Sequence, residues 1–418
     1  MAEARTARFD SIDALRCAGM IAVLTYHVGG LAGARPAATG LGHWVTRSLD
    51  SALILFFVIS GYVISRPFVR ALVDGRPVPD VRRYALRRAA RVVPGYWIAL
   101  LAVLLLVQGS GSQLGALPLQ HWWQIPLHGL FLQDVVPGQI QALIRVAWTL
   151  ENEIIFYALL PLLTVLLARR HPRGMSPHRL AAMVLGVWAA SAAFALFADQ
   201  LPAYTDGAAV ARYTFPSMAG FFCPGILIAI ADTQAAAAAG GIWGRLQRLL
   251  NSPRQWGLAF AGVFLLGILV LRGEAALGTR WLLLLDQHWQ VQAIAFGALV
   301  GGFARGGERL ERWSRPVARV GLASYGIYLW HTVVLHFVAQ NHLWVSTDRM
   351  GILALPLNVM LVLGLTLPIA TASWLLVEKR SLAWAERVAR QWRGAAQPDV
   401  QPRVESEAEA VPVPASGG

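Results

Sequence analysis

The chain has 418 residues, 56% of them hydrophobic and only 14% charged, with a mean hydropathy of +0.51. Soluble domains carry about 25% charged residues, so this composition excludes an ordinary soluble enzyme and indicates an all-α, polytopic transmembrane helical bundle. A formal charge of +13 would suggest a nucleic-acid partner for a soluble protein, but here the basic residues fall between apolar runs, where they report topology and give no reason to expect nucleic acid.

Apolar runs near the bilayer-crossing length of about 20 residues recur at roughly 12–32, 46–66, 92–109, 147–168, 179–198, 214–232, 256–271, 289–304, 320–340 and 351–377. About ten spans are therefore expected. The runs at 256–271 and 289–304 are short, and SGYVIS inside 46–66 is a possible helix breaker. The first run resembles a signal peptide in composition, but Asp10 and Asp13 in its flank make it a retained span. The 36 Lys and Arg residues divide unevenly over the loops. One set of alternate loops receives 28 of them, Arg16 lies inside the first span, and the other set receives only Arg35, Arg47, Arg145, Arg212, Arg272, Arg280 and Arg349. That asymmetry places the basic side and both termini in the cytoplasm, with a lipid bilayer as the first partner. Residues 1–390 form the membrane domain, and 391–418, rich in Pro, Ala, Glu and Gly, read as a disordered cytoplasmic tail. Cys17 and Cys223 lie in apolar runs and form neither a disulfide framework nor a metal motif.

Ionisable residues inside a span are costly and mark function. The first span carries Asp13, Arg16 and His27. Arg16 and His27 are eleven residues apart, so they share a face, separated by about 16 Å of helical rise. The stretch 80–97, DVRRYALRRAARVVPGYW, brings Arg87, Arg88 and Arg91 to the cytoplasmic end of the third span. Such arginines bind anionic lipid, and they equally suit a phosphorylated cofactor because guanidinium grips phosphate bidentately. In the fourth span, WTLENEIIFY, Glu151 and Glu153 are two residues apart and so face different ways. Depth counting sets Glu153 level with His27, where a carboxylate would orient the imidazole as a base. Glu151, near Trp148, reads as a bystander at the outer interface. His331 in SYGIYLWH shares a face with Tyr328.

Five blocks occur in order along residues 9 to about 385: LRCAGMIAVLTYH, FFVISGYVI, RRAARVVPGYW, WTLENEIIFY and SYGIYLWH. Together they resemble the membrane acyltransferase 3 family, multi-span bacterial enzymes that O-acylate sugars, polysaccharides, nodulation factors and macrolide antibiotics. Carried over by position, the family's essential arginine and histidine fall on Arg16 and His27. Its FFxxSG block falls on Phe56, Phe57, Ser60 and Gly61, and its basic block on Arg87, Arg88, Arg91 and Pro94. The tryptophan-glutamate block falls on Trp148, Thr149, Leu150, Glu153, Phe156 and Tyr157. Thr149 replaces the usual Ser, and Ile154 and Ile155 stand where many members have Glu-Gln, leaving Glu153 as the sole acid at its place.

The resemblance implies acyl transfer from acyl-CoA, with acetyl-CoA the expected co-substrate and no metal, to a carbohydrate or macrolide hydroxyl at the bacterial cytoplasmic (inner) membrane. In that scheme Arg87, Arg88 and Arg91, with Ser60, hold the donor; His27 is the general base, oriented by Glu153 and aided by Arg16. Trp148, Tyr157, Tyr328 and His331 line the acceptor side. Direct transfer is favoured over an acyl-enzyme, because no Cys or Ser pairs convincingly with His27 in the sequence, Ser60 being the weak exception. The alternative from the same buried His and Glu groups is a proton-coupled transporter or flippase of a lipid-linked glycan or small metabolite, although the paired repeats of many transporters are not evident.

Overall fold

The structure is a computed structural model and describes residues 3–30, 41–106, 119–140, 142–201, 206–234, 241–277, 288–306 and 308–396. Among the described residues there is helix and no strand. The long helices are α1 (Glu3–Gly29), α2 (Ala52–Asp74), α3 (Val81–Leu106), α4 (Trp148–Arg170), α5 (Pro177–Gln200), α6 (Cys223–Thr233), α7 (Pro253–Leu277), α8 (His288–Arg305), α9 (Glu308–Leu322), α10 (Ser324–Gln340), α11 (Ala354–Ser373) and α12 (Lys379–Ala396). Among the described residues, seven helical stretches are long and apolar enough to cross a membrane: those containing α2, α3, α4, α5, α6, α7 and α11. The reason for helix throughout is that a backbone in lipid must satisfy its own hydrogen bonds.

Every expected apolar run is mostly helical in its described residues, with 31–32 and 107–109 lying outside them, but three differ in detail. SGYVIS does not break α2. A Cβ on Gly61 would collide with the Phe222 carbonyl, and one on Gly225 with the Val58 carbonyl, so these glycines let the α2 backbone touch the segment leading into α6. The run at 214–232 is interrupted: a short helix, Phe215–Met218, passes through a 3₁₀ turn, Ala219–Phe222, before α6 begins. Pro216 and Pro224 sit at the first turns of the two helical pieces, where a missing N–H costs nothing. The last run ends in a five-residue π turn, Trp374–Glu378, and then α12. Helix α12 runs past the expected boundary at 390 to Ala396; the rest of the proposed tail lies outside the described residues.

Two apolar cores meet along α2. One joins α2, α4, α5, α6 and α8 through residues such as Phe57, Phe156 and Phe222. The other joins α1, α3, α10 and α11 through Leu24, Tyr96, Leu329 and Val362. At the basic end, Asp232 closing α6 accepts hydrogen bonds from Tyr62 (2.8 Å) and Arg305 and pairs with Arg66 (3.3 Å). This cluster ties α2, α6 and α8 together and leaves the seam between the two cores free for the site.

Candidate functional site

Helix α2 presents Leu53, Phe56, Phe57, Ser60 and Ile64 along the seam, the spacing of one helical face. Opposite them stand Arg16 of α1, Arg88 and Arg91 of α3, Thr149, Glu153 and Tyr157 of α4, and Tyr325 and Tyr328 of α10. These side chains enclose a cavity of about 90 Å³. It adjoins a wider cavity of about 990 Å³, lined by Arg66, Arg70, Arg83, Arg87, Arg88 and Arg91 together with Tyr62, Tyr84, Asp80 and Glu386. Ile64, Arg88 and Arg91 belong to both walls.

Charge in the inner cavity is lopsided, with three arginines against one carboxylate. Glu153 Oε1 accepts from Ser60 Oγ at 2.5 Å and Oε2 accepts from Tyr157 Oη at 2.8 Å. The Arg88 guanidinium lies over the Tyr157 ring, 5.5 Å from its centre, and 5.8 Å from that of Tyr84. Arg16 is paired with Asp13 one turn away, at 2.6 Å. A positive, largely apolar-walled funnel of this kind concentrates anions.

At the other end, His27 Nδ1 and His331 Nε2 are 3.0 Å apart. The protonation pattern follows from the partners. His331 Nδ1 faces the carbonyls of Tyr328 (2.6 Å) and Ile327 (3.2 Å), two acceptors, so it must carry the hydrogen. With the pair neutral, His331 Nε2 is then an acceptor, His27 Nδ1 donates to it, and His27 Nε2 is left with its lone pair outward. His331 is fully buried and His27 half-buried. In that arrangement His27 presents an unprotonated nitrogen, the state from which an imidazole can accept a proton.

This alters the expected partner of His27. Glu153 was expected to orient it, but both Glu153 oxygens are taken by Ser60 and Tyr157, and among the described residues no hydrogen bond joins Glu153 to His27. His331, expected on the acceptor side, fills that position. Glu151 stays outside the cavity, as a bystander would, but it is buried. It is 3% exposed, and its Oε2 accepts the Asp134 N–H at 2.9 Å. The segment that covers it includes a short helix, Gln124–Gly129, and a 3₁₀ turn, Gln133–Val135. Burial and the neighbouring Glu151 push the Asp134 carboxyl up to about 10, so Asp134 stays neutral beside it at pH 7.

The structure brings Arg16, Ser60, Arg88, Arg91, Glu153, Tyr157 and Tyr328 into one cavity wall. Four expected residues stand outside that wall: His27 and His331, paired with each other, and Arg87 and Trp148. Arg87 lines the outer cavity and is ion-paired with Glu386 of α12. Trp148 is buried and packs edge-on against Tyr213, ring centres 4.9 Å apart, rather than lining the cavity. Sequence reasoning missed Arg66, Arg70 and Arg83 as cavity residues. The first two lie one helical turn apart at the basic end of α2, a spacing that could have flagged them. Among the described residues, no group of three or more His, Cys, Asp or Glu is placed to hold a metal.

Comparison with known proteins gives the chain a family. A family model described as an acyltransferase domain matches residues 9–377. An exopolysaccharide production protein, ExoZ, of Rhizobium meliloti (strain 1021) is 26% identical over 321 residues, which is 73% of this chain and 82% of the relative. No solved structure matches.

Proposed function

This chain belongs to the acyltransferase 3 family and is a multi-pass membrane acyltransferase, and from that premise we propose that it moves a short acyl group, acetyl foremost, from acyl-CoA to a carbohydrate hydroxyl. The observation that carries the reading is the order of chemistry along the seam: arginines, a narrow cavity, then an imidazole held as a base. The phosphates of the donor rest among Arg70, Arg83, Arg87, Arg88 and Arg91. The extended arm follows the inner cavity past Ser60 and Glu153, leading the thioester toward Tyr328 and the histidine pair. Glu153 serves there as a positioning residue, fixing Ser60 and Tyr157 and balancing part of the arginine charge.

In the reaction, His27 Nε2 takes the proton of the acceptor hydroxyl while His331 holds the ring. The oxygen attacks the thioester carbonyl, the C–S bond breaks, and the departing thiolate takes the proton back from the imidazolium. The products are an ester and free CoA thiol. Arg16 and Arg91 stand where they can offset negative charge on the donor. The basic end faces the cytoplasm, the source of acyl-CoA, and α1, α8 and α10 complete ten spans of a bacterial inner-membrane protein with both termini inside. Similarity to an exopolysaccharide production protein favours a polysaccharide acceptor over a macrolide.

The test is free-thiol release by the detergent-purified protein, given acetyl-CoA and extracellular polysaccharide stripped of its esters by mild base. Release that needs both substrates and vanishes in His27→Ala supports transfer. A protein that binds glycan and releases no thiol is a carrier instead.

A further inference from the structure

The inner cavity and His27 do not share a wall, and the residues between them are aromatic. Along α1, Arg16 lines the cavity. Gly19, one turn on, lies against Phe56, for a Cβ there would sit 3.4 Å from the edge of the Phe56 ring. His27 is eight residues further, about 12 Å along the helix. Across from Phe56 stands Tyr328, ring centres 6.2 Å apart, and behind Tyr328 stands His331 at 5.9 Å. Anything passing from the arginine-lined cavity to the base therefore crosses the level of Phe56 and Tyr328.

The two rings are held differently. The Tyr328 hydroxyl is fixed by the Val146 carbonyl at 2.9 Å and by Thr149 Oγ1 at 2.6 Å. Phe56 has no polar anchor. It is half-buried while its neighbour Phe57 is 1% exposed, and it lines the cavity. One ring is a fixed jamb and the other has only rotamer preferences and an adjacent space to turn into.

We infer that Phe56 is a gate between donor and base, closing against Gly19 and Tyr328, and that its clearance selects short acyl groups. The inference rests on the acyl-CoA reading above. With the gate closed, the thioester is kept from a base that would otherwise activate water. In that side reaction His27 takes a proton from water, hydroxide attacks the carbonyl, the C–S bond breaks, and a free carboxylic acid and a thiol result. The acyl group itself displaces the ring, so a long chain, needing more clearance, passes poorly.

The experiment measures thiol release from acetyl-, butyryl- and octanoyl-CoA by wild type, Phe56→Ala, Phe56→Leu and Phe56→Trp, with and without the de-esterified polysaccharide. The expected result is that Ala and Leu raise acceptor-independent release and lift the octanoyl-to-acetyl ratio by about tenfold, with Leu the smaller change. Trp lowers turnover with every donor and steepens the preference for acetyl. Leu preserves most of the packing, so a misfolded Ala variant leaves the measurement intact. If Ala or Leu transfers acetyl with the wild-type chain-length ranking and the wild-type dependence on acceptor, Phe56 is packing and the gate is wrong. If wild type itself releases no thiol in any arm, the acyl-CoA reading fails first, a different result from a gate that makes no difference.

Discussion

Six arginines ring the wide cavity at the basic end, drawn from α2 and α3, whereas the far end of the seam depends on one hydrogen bond between His27 and His331. The first arrangement recognises an anion by summed charge, so its members share the load and single losses are gradual. The second fixes a tautomer, and a tautomer is right or wrong. Substitutions at the two ends should therefore differ in kind: loss of turnover at the histidines, loss of donor affinity at the arginines.

The sharpest test of that contrast is at the base. His27→Ala should lower kcat by about a thousandfold or more, within the range for removing a general base. His331→Ala should cost about a hundredfold in kcat with the donor KM nearly unchanged, since the ring touches His27 and not the cavity. If the His331 variant instead raised KM and kept kcat, the residue would belong to substrate binding, as the sequence alone suggested. Both should insert and purify, and thiol release under donor saturation separates the cases.

Glu153→Gln comes next. It keeps the shape but weakens the acceptance of the Ser60 and Tyr157 hydroxyls, hydrogen bonds to a charged group being worth about 1.5–3 kcal/mol each. The expected loss in kcat is about ten- to a hundredfold, reflecting displaced side chains beside the donor arm. A loss as complete as that of His27→Ala would return Glu153 to a direct part in proton transfer.

These predictions rest on features of unequal visibility in the sequence. The described parts of the ten apolar runs are mostly helix because lipid leaves the backbone little choice, and run length alone finds them. The interruption at Ala219–Phe222 is a tertiary matter: Gly220 presses on Trp188 and Ser191, whose hydroxyl accepts the Gly220 N–H. Helical phase separated Glu153 from Glu151 correctly, since one faces Ser60 and the other Asp134. Phase could not find the partner of His27, because His331 lies 304 residues away and only the packing of α10 on α1 joins them. Depth counting placed Glu153 level with His27, but shared depth is not contact. The burial of Glu151 leaves no sequence signal for a related reason. A loop that folds back and buries a carboxylate against its own amides leaves no periodic trace.

At the arginine end, effects should be graded. Arg88→Ala and Arg91→Ala line both cavities and should each raise the donor KM by about tenfold, with kcat largely kept and the penalty shrinking at high salt. Arg87→Ala should raise it only about twofold, because Arg87 already has Glu386 for a partner. Equal effects at all three would mean that the donor displaces Glu386 and uses Arg87 fully.

That possibility gives the smallest and most discriminating prediction. Glu386 of α12 pairs with both Arg83 (3.5 Å) and Arg87 at the rim of the wide cavity, presenting a carboxylate where a phosphate would otherwise lie. The pairs are partly exposed, so each is worth at most about 1 kcal/mol. Glu386→Gln should release both guanidinium groups and lower the donor KM by about two- to threefold, leaving kcat unchanged and weakening in high salt. Combined with Arg87→Ala, most of that gain should disappear, since only Arg83 remains to be freed. A raised KM in the single variant would mean the opposite: that Glu386 holds Arg83 and Arg87 in the positions the donor needs, and that α12 builds the arginine wall rather than masking it.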